Sequence, residues 1–186
     1  MPHTQAMKDT KDRMKKSVES FRQELGSIRT GRANAAILDN LDFEVYGSKM
    51  KLNQLGTVTV PDAHTIAVDL WDKTQIPLIE KTLRASALNI NPTNDGRLIR
   101  IPIPPLTEER RRDLVKLASQ YAEEAKVAVR NIRRQANDII KQFQKDGVVP
   151  EDNAHRLSDD VQKWTDEHIR EIDDVLKAKE ADIMEV

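Results

Sequence analysis

The sequence predicts an α+β protein: an elongated antiparallel three-helix bundle with a small mixed α/β domain inserted between its first and second helices. Three observations predict it. The 186-residue chain is 38% hydrophobic and 33% charged with only 4% aromatics, lean for a large spherical core and suited to long amphipathic helices. Apolar residues recur at spacings of three and four through residues 14–28 and again through 114–183. Between those stretches, residues 41–104 carry short β-branched and aromatic runs separated by turn signals.

Taken in order, Met14, Val18, Phe21, Leu25 and Ile28 form one stripe of a first helix expected to end near Gly31. Gly26 lies inside that pattern at a cost of about 1 kcal/mol against alanine; it either admits a neighbouring backbone or is simply tolerated. "FEVYG", "TVTV", "TIAVDLW" and "RLIRIPIP" read as strands, with breaks at Gly47, Gly56, "VPDAH" and "NPTNDG". "IPLIEKTLRASAL" reads as a helix starting around Pro77. Thr107 suits the cap of a second long helix with Glu108 and Glu109 in its first turn. Its stripe is Leu114, Ala118, Tyr121, Ala125, Ala128, Ile132, Ala136, Ile139 and Phe143, running to about Asp146 and stopped by Gly147. "PEDNAH" opens a third helix whose stripe is Leu157, Val161, Trp164, His168, Ile172, Val175, Lys179 and Ile183.

The organisation that follows is a discontinuous bundle domain, residues 1–30 plus 105–186, and an inserted domain, residues 31–104. Two links join them, through Thr30, Gly31 and Arg32 and through Pro102, Pro104 and Pro105. Neither is long or glycine-rich, so the expected motion is a restricted swing about a two-link hinge.

The chain has no cysteine, which excludes disulfides, thiolate metal sites and thiol nucleophiles. No signal-type apolar segment and no membrane-length apolar run is present, so a soluble, cytoplasmic, unanchored protein is expected. His3, His64, His155 and His168 lack metal-ligand spacing, and Asp159/Asp160 and Asp173/Asp174 read as solvated helix faces. No phosphate-binding loop, dinucleotide fingerprint or nucleophile elbow occurs, so neither an enzyme nor a cofactor is expected.

Function then rests on surface charge. Residues 1–30 carry 7 basic and 4 acidic groups, 31–104 carry 8 and 8, 105–146 carry 10 and 7, and 147–186 carry 5 and 12. With the second helix's stripe centred near Ile132, Lys126, Arg130, Arg133, Asn137 and Lys141 fall opposite it, and Arg112, Lys116 and Arg134 lie beside them. Only Glu123 interrupts this ridge strongly. Arginines clustered in "AVRNIRRQAND" suit bidentate phosphate contacts, and the scarcity of aromatics favours an RNA backbone over base stacking. A helical adaptor or chaperone-like rod binding protein partners would explain the bundle but not the arginine ridge.

"SIRTGRA", "PPLTEERRRDLVK", "AVRNIRRQAND" and "LSDDVQKWTDEHIREID", in this order and spanning essentially the whole chain, resemble the ribosome recycling factor family. The resemblance implies a three-helix bundle and a small β/α/β sandwich domain in an L-shaped, tRNA-like outline. It also implies a monomeric translation factor that, with elongation factor G and GTP, splits the ribosome left on messenger RNA after peptide release. By the same resemblance Arg130, Arg133 and Arg134 contact large-subunit, 23S-type ribosomal RNA, Arg29 and Arg110 add basic positions beside it, and elongation factor G pushes the hinged domain. Gln135, where many relatives have an acid, and Trp164, where an aliphatic is usual, are the departures.

Overall fold

In the computed structural model, which describes residues 1–185, the two textures separate into two units: Met1–Thr30 with the chain from Thr107 onward, and Gly31–Leu106. The first unit is three helices. α1 spans Pro2–Gly26, with Pro2 in its first turn where the missing N–H costs nothing. It buries Met7, Thr10, Met14, Val18, Phe21 and Leu25, extending the expected stripe one turn and more toward the N-terminus. It ends five residues before Gly31, because Ser27 and Ile28 already close the last turn onto Glu24 and Leu25 carbonyls. A Cβ on Gly26 would meet open space, so no neighbouring backbone explains this glycine.

The second unit begins with a 3₁₀ turn, Ala35–Leu38, whose preceding Asn34 side chain accepts from Ala36 N–H. β1 (Phe43–Val45) and β2 (Ser48–Met50) form an antiparallel hairpin. β3 (Gly56–Asp62), β4 (Thr65–Leu70), β5 (Thr93–Asn94) and β6 (Ile99–Pro102) form an antiparallel sheet in the order β3-β4-β6-β5. Between β4 and β5 lies α2, Ile76–Ala85, three residues shorter than the apolar run suggests because Ser86 turns extended.

Alternation along β4 and β6 sends Ile66, Val68, Leu70, Ile99 and Ile101 into one core, where they meet Ile76, Ile79 and Leu83 of α2 and Phe43 and Val45 of the hairpin. Burying a side chain of this size contributes about 1.5–3 kcal/mol. Gly56 is required by close approach: a Cβ there would stand 2.3 Å from the Asp69 carbonyl oxygen across the β3/β4 ladder. Two strands escape the sequence pattern. β2 is polar on both faces except Met50, and β5 lies inside "NPTNDG", read above as a break; its two exposed residues pair with Arg100 and Ile99 as a short sheet edge.

Pro102 is not in a link. It is the last residue of β6, opposite Thr65, and Ile103 N–H then donates to the His64 carbonyl at 2.7 Å. On the other side Ala33 N–H donates to the Ala63 carbonyl at 2.7 Å. The connecting segments are therefore reduced to Thr30–Arg32 and Pro104–Leu106. Gly31 takes φ +75°, and a Cβ on it would lie 2.9 Å from Leu106 Cγ and 3.2 Å from Leu106 N, so the two segments pass in contact.

α3, Glu108–Lys145, is capped by Thr107, whose hydroxyl accepts from Arg110 N–H. Gly147 follows its end. α4, Glu151–Met184, starts after Pro150 with Glu151 and Asp152 in its first turn, favourable at the positive end of a helix. Within this unit the helices are stitched by Arg22 of α1 to Glu171 of α4 (2.7 Å), Arg13 of α1 to Gln135 of α3 (2.8 Å) and Lys126 of α3 to Asp173 of α4 (2.5 Å).

Candidate nucleic-acid interface

The charged face of α3 is set by which residues the helix buries. These are Arg111, Leu114, Ala118, Ala122, Ala125, Val129, Ile132, Ala136 and Ile140. Tyr121, Ala128 and Phe143 are half-buried and Ile139 is exposed. At about 100° per residue the stripe is centred roughly 40° round from Ile132, toward Ala122, Val129 and Ile140. That rotation corrects the ridge drawn from the sequence.

Lys126, Arg133 and Asn137 are not opposite the core; they form the flank that faces α4. The Lys126 side chain is only 18% exposed and holds Asp173. Arg133 Nη1 donates to Gln162 Oε1 at 3.3 Å, and Gln162 Nε2 donates on to Asp166 Oδ1 at 2.9 Å. Asn137 is half-buried, and its Oδ1 has no partner among the described residues.

The face that looks away from the core carries Lys116, Arg130, Arg134 and Lys141, with Glu123 and the 46%-exposed Val127 between them. Arg130 Nη1 reaches Glu123 at 3.3 Å, an exposed pair worth little in water. Arg134, Lys116 and Lys141 have no ion pair or hydrogen bond from their side chains among the described residues. Three fixed cations on one solvated helix face, with no internal acid engaged, can exchange water and counterions for phosphate oxygens at little desolvation cost.

Arg110 and Arg29 are both exposed and occupy the end of the bundle where α1 stops and α3 starts. Arg110 and Arg130 are 20 residues apart on one helix, about 30 Å at 1.5 Å per residue. So the sequence-predicted site residues fall into three groups: Arg29 with Arg110, Arg130 with Arg134, and the α4-facing Lys126, Arg133 and Asn137.

Arg111 escaped the sequence reading. It sits on the inner stripe with 8% exposure, and its Nη1 lies 3.5 Å from the Met184 carbonyl, at the negative end of α4. Its only sequence signal is the spacing Arg111, Leu114, Ala118, which continues the apolar period into a charged residue. Trp164 is half-buried with the Lys11 ammonium 5.4 Å from its ring centroid, a cation–π cover across helices. His168 Nδ1 bonds the Trp164 carbonyl at 2.6 Å, a local helix bond. No cluster of metal-ligating side chains and no helix long and apolar enough to cross a membrane occurs among the described residues.

The family model described as ribosome recycling factor matches residues 21–184. The chain belongs to the ribosome recycling factor family. It is 51% identical over 180 residues to the ribosome-recycling factor of Symbiobacterium thermophilum, with 97% of each chain covered. It is 52% identical over 182 residues to that of Halalkalibacterium halodurans, with 98% of each covered. Among solved structures, a ribosome recycling factor in solution superposes with a TM-score of 0.75 at 42% identity, covering 100% of this chain and 99% of that one. Another, the T. thermophilus ribosome recycling factor placed with E. coli elongation factor G on the E. coli post-termination complex, gives 0.62 at 45% identity with both chains fully covered. The mixed helix-and-sheet architecture, with its antiparallel sheets, is thus that of the family.

Proposed function

We propose that this chain is a translation factor that binds the post-termination ribosome and, with elongation factor G and GTP, separates its subunits for reuse. The observation that carries this is its full-length likeness to ribosome recycling factors, one of them described beside elongation factor G on a post-termination complex. In this reading the bundle lies along 23S-type RNA of the large subunit. Arg130 and Arg134 make the phosphate contacts of the outer face, Arg133 contributes from the α4 flank, and Arg29 and Arg110 extend the grip toward the links. Lys126 and Asn137 chiefly order the α3/α4 seam. The chain works as a monomer in the cytoplasm without catalysis of its own, and the links Thr30–Arg32 and Pro104–Leu106 let elongation factor G swing the smaller unit as one body.

Co-sedimentation with vacant ribosomes and isolated large subunits across a salt series tests the binding half. Each phosphate contact removed from a folded RNA reduces the salt slope by about 0.7–0.9. Arg130→Ala combined with Arg134→Ala is therefore expected to flatten the slope by about 1.5 and weaken binding at moderate salt, with the helix content unchanged. Binding equal to the unmodified chain at every salt concentration would remove the outer face from the interface, and absence of binding by either protein would favour an adaptor for other partners.

A further inference from the structure

α3 and α4 run antiparallel, with Arg111 near Met184, Ser119 bonded to Glu180 and Lys126 paired with Asp173 at 2.5 Å. Seven residues are two helical turns, so a seam contact returns on the same face at that interval. Seven residues on from Lys126 stands Arg133, and seven residues back from Asp173 stands Asp166. The register that joins Lys126 to Asp173 therefore brings a second cation opposite a second carboxylate. Among the described residues no ion pair joins them. Gln162, one turn before Asp166 on α4, stands between: Arg133 Nη1 donates to Gln162 Oε1 at 3.3 Å, and Gln162 Nε2 donates to Asp166 Oδ1 at 2.9 Å.

The chemistry at both ends fixes the amide. A carboxylate only accepts and a guanidinium only donates, so the NH₂ of Gln162 faces Asp166 and its oxygen faces Arg133. The consequence is electrical. Lys126 is matched by a full negative charge, whereas Arg133 meets a neutral acceptor through one nitrogen and keeps its charge and its other N–H groups. A half-buried guanidinium fork, ordered in advance and not neutralised, loses little freedom when it meets a phosphate.

We propose that Gln162, its amide oriented by Asp166, is a positioning residue that holds Arg133 ready for phosphate and keeps it off Asp166. The proposal rests on the reading above in which Arg133 contributes to the grip on ribosomal RNA. Lys126 shows what happens at the seam without such a spacer: the cation is spent on an α4 carboxylate and serves the fold.

Co-sedimentation with vacant ribosomes across a salt series tests it on the unmodified chain, Arg133→Ala, Gln162→Ala, and Gln162→Ala combined with Asp166→Asn or with Arg133→Ala. Gln162 and Asp166 are exposed, so helix content is expected to be unchanged throughout. Gln162→Ala is expected to bind about tenfold more weakly at low salt with a slope flatter by about 0.7–0.9, as though Arg133 were gone, and Asp166→Asn in that background to restore both. Added to Arg133→Ala, it is expected to cost nothing further. A crystal structure of Gln162→Ala should show the Arg133 guanidinium within about 4 Å of the Asp166 carboxylate. Arg133 standing clear of Asp166 in that structure, an equal loss in the chain lacking Arg133, or no restoration by Asp166→Asn would each overturn the proposal. Parent-like binding by Arg133→Ala would instead overturn the reading of Arg133 as an RNA contact, and the crystal structure alone would then decide whether Gln162 keeps the two charges apart.

Discussion

Lys126 and Arg134 sit eight residues apart on one helix, yet their surroundings assign them different work. Lys126 is covered to 18% exposure and pairs with Asp173 across the seam; Arg134 is exposed with no side-chain partner among the described residues. Removing a partly buried partner leaves a carboxylate short of its bond, so Lys126→Ala is expected to lower unfolding stability by about 1 kcal/mol. Arg134→Ala should stay within about 0.5 kcal/mol of the parent, as exposed substitutions do. Urea denaturation paired with ribosome co-sedimentation checks this: stability should fall in the first variant, affinity in the second. Reversal of the two outcomes would return Lys126 to the outer face. The sequence could not make this distinction because α3 carries apolar neighbours in pairs, Tyr121/Ala122, Ala128/Val129 and Ile139/Ile140, and alanines at 118, 122, 125, 128 and 136. Either member of each pair satisfies a three-four spacing, so periodicity establishes that a stripe exists but leaves its centre loose by a fraction of a turn. The arginine cluster was legible; that Arg133 faces α4 was decided by Gln162, 29 residues further along the chain.

Elements differ in the same way in what their own residues disclose. The three long helices and α2 are strongly periodic, and β1, β3, β4 and β6 carry β-branched or aromatic runs, so all are readable. β2 and β5 are held mainly by their partners' ladders and carry almost no apolar signal of their own. The smaller unit compensates with side-chain carboxylates that organise its turns. Asp62 accepts from His64 N–H, Asp95 from Leu98 and Arg97 N–H, Asp72 from Thr74, and Asp42 from Lys51, and each pKa is lowered by those bonds in that order of importance. A carboxylate whose folded pKa lies below its unfolded value, near 3.9, stabilises the fold fully above that value and loses the contribution as pH falls through the folded pKa. The smaller unit should therefore hold constant stability from pH 7 to about pH 5 and weaken below about pH 4. All four groups are solvent-exposed, so each effect is small. Trp71 emission, followed through thermal unfolding in a pH series, reports this unit. A melting temperature that instead rises on acidification below pH 4 would mean that these bonds do not favour the ionised form.

At the scale of the whole molecule, charge and chain path divide the labour between units. The arginine-bearing helix belongs to the bundle, whereas the inserted residues 31–104 carry 8 basic and 8 acidic groups and the exposed rings of Tyr46 and Trp71. On the proposed reading, affinity for RNA resides in the bundle, with six residues of link between it and the smaller unit. Those links are stiff for a physical reason: Pro104 and Pro105 hold φ near −65°, and Gly31 threads a left-handed turn against Leu106 where a side chain would collide. If the smaller unit acts as a lever, stiffness is what lets a push on it reach the bundle; a slack link would absorb the displacement as chain entropy. Replacing Pro104 and Pro105 together by glycine loosens one link without touching either core or the arginine face. The double variant is expected to co-sediment with ribosomes as the parent does, over the same salt series, while splitting them about tenfold more slowly in the presence of elongation factor G and GTP. An unchanged splitting rate would make the second link a tether only, and lost ribosome binding would mean that the proline segment itself belongs to the interface.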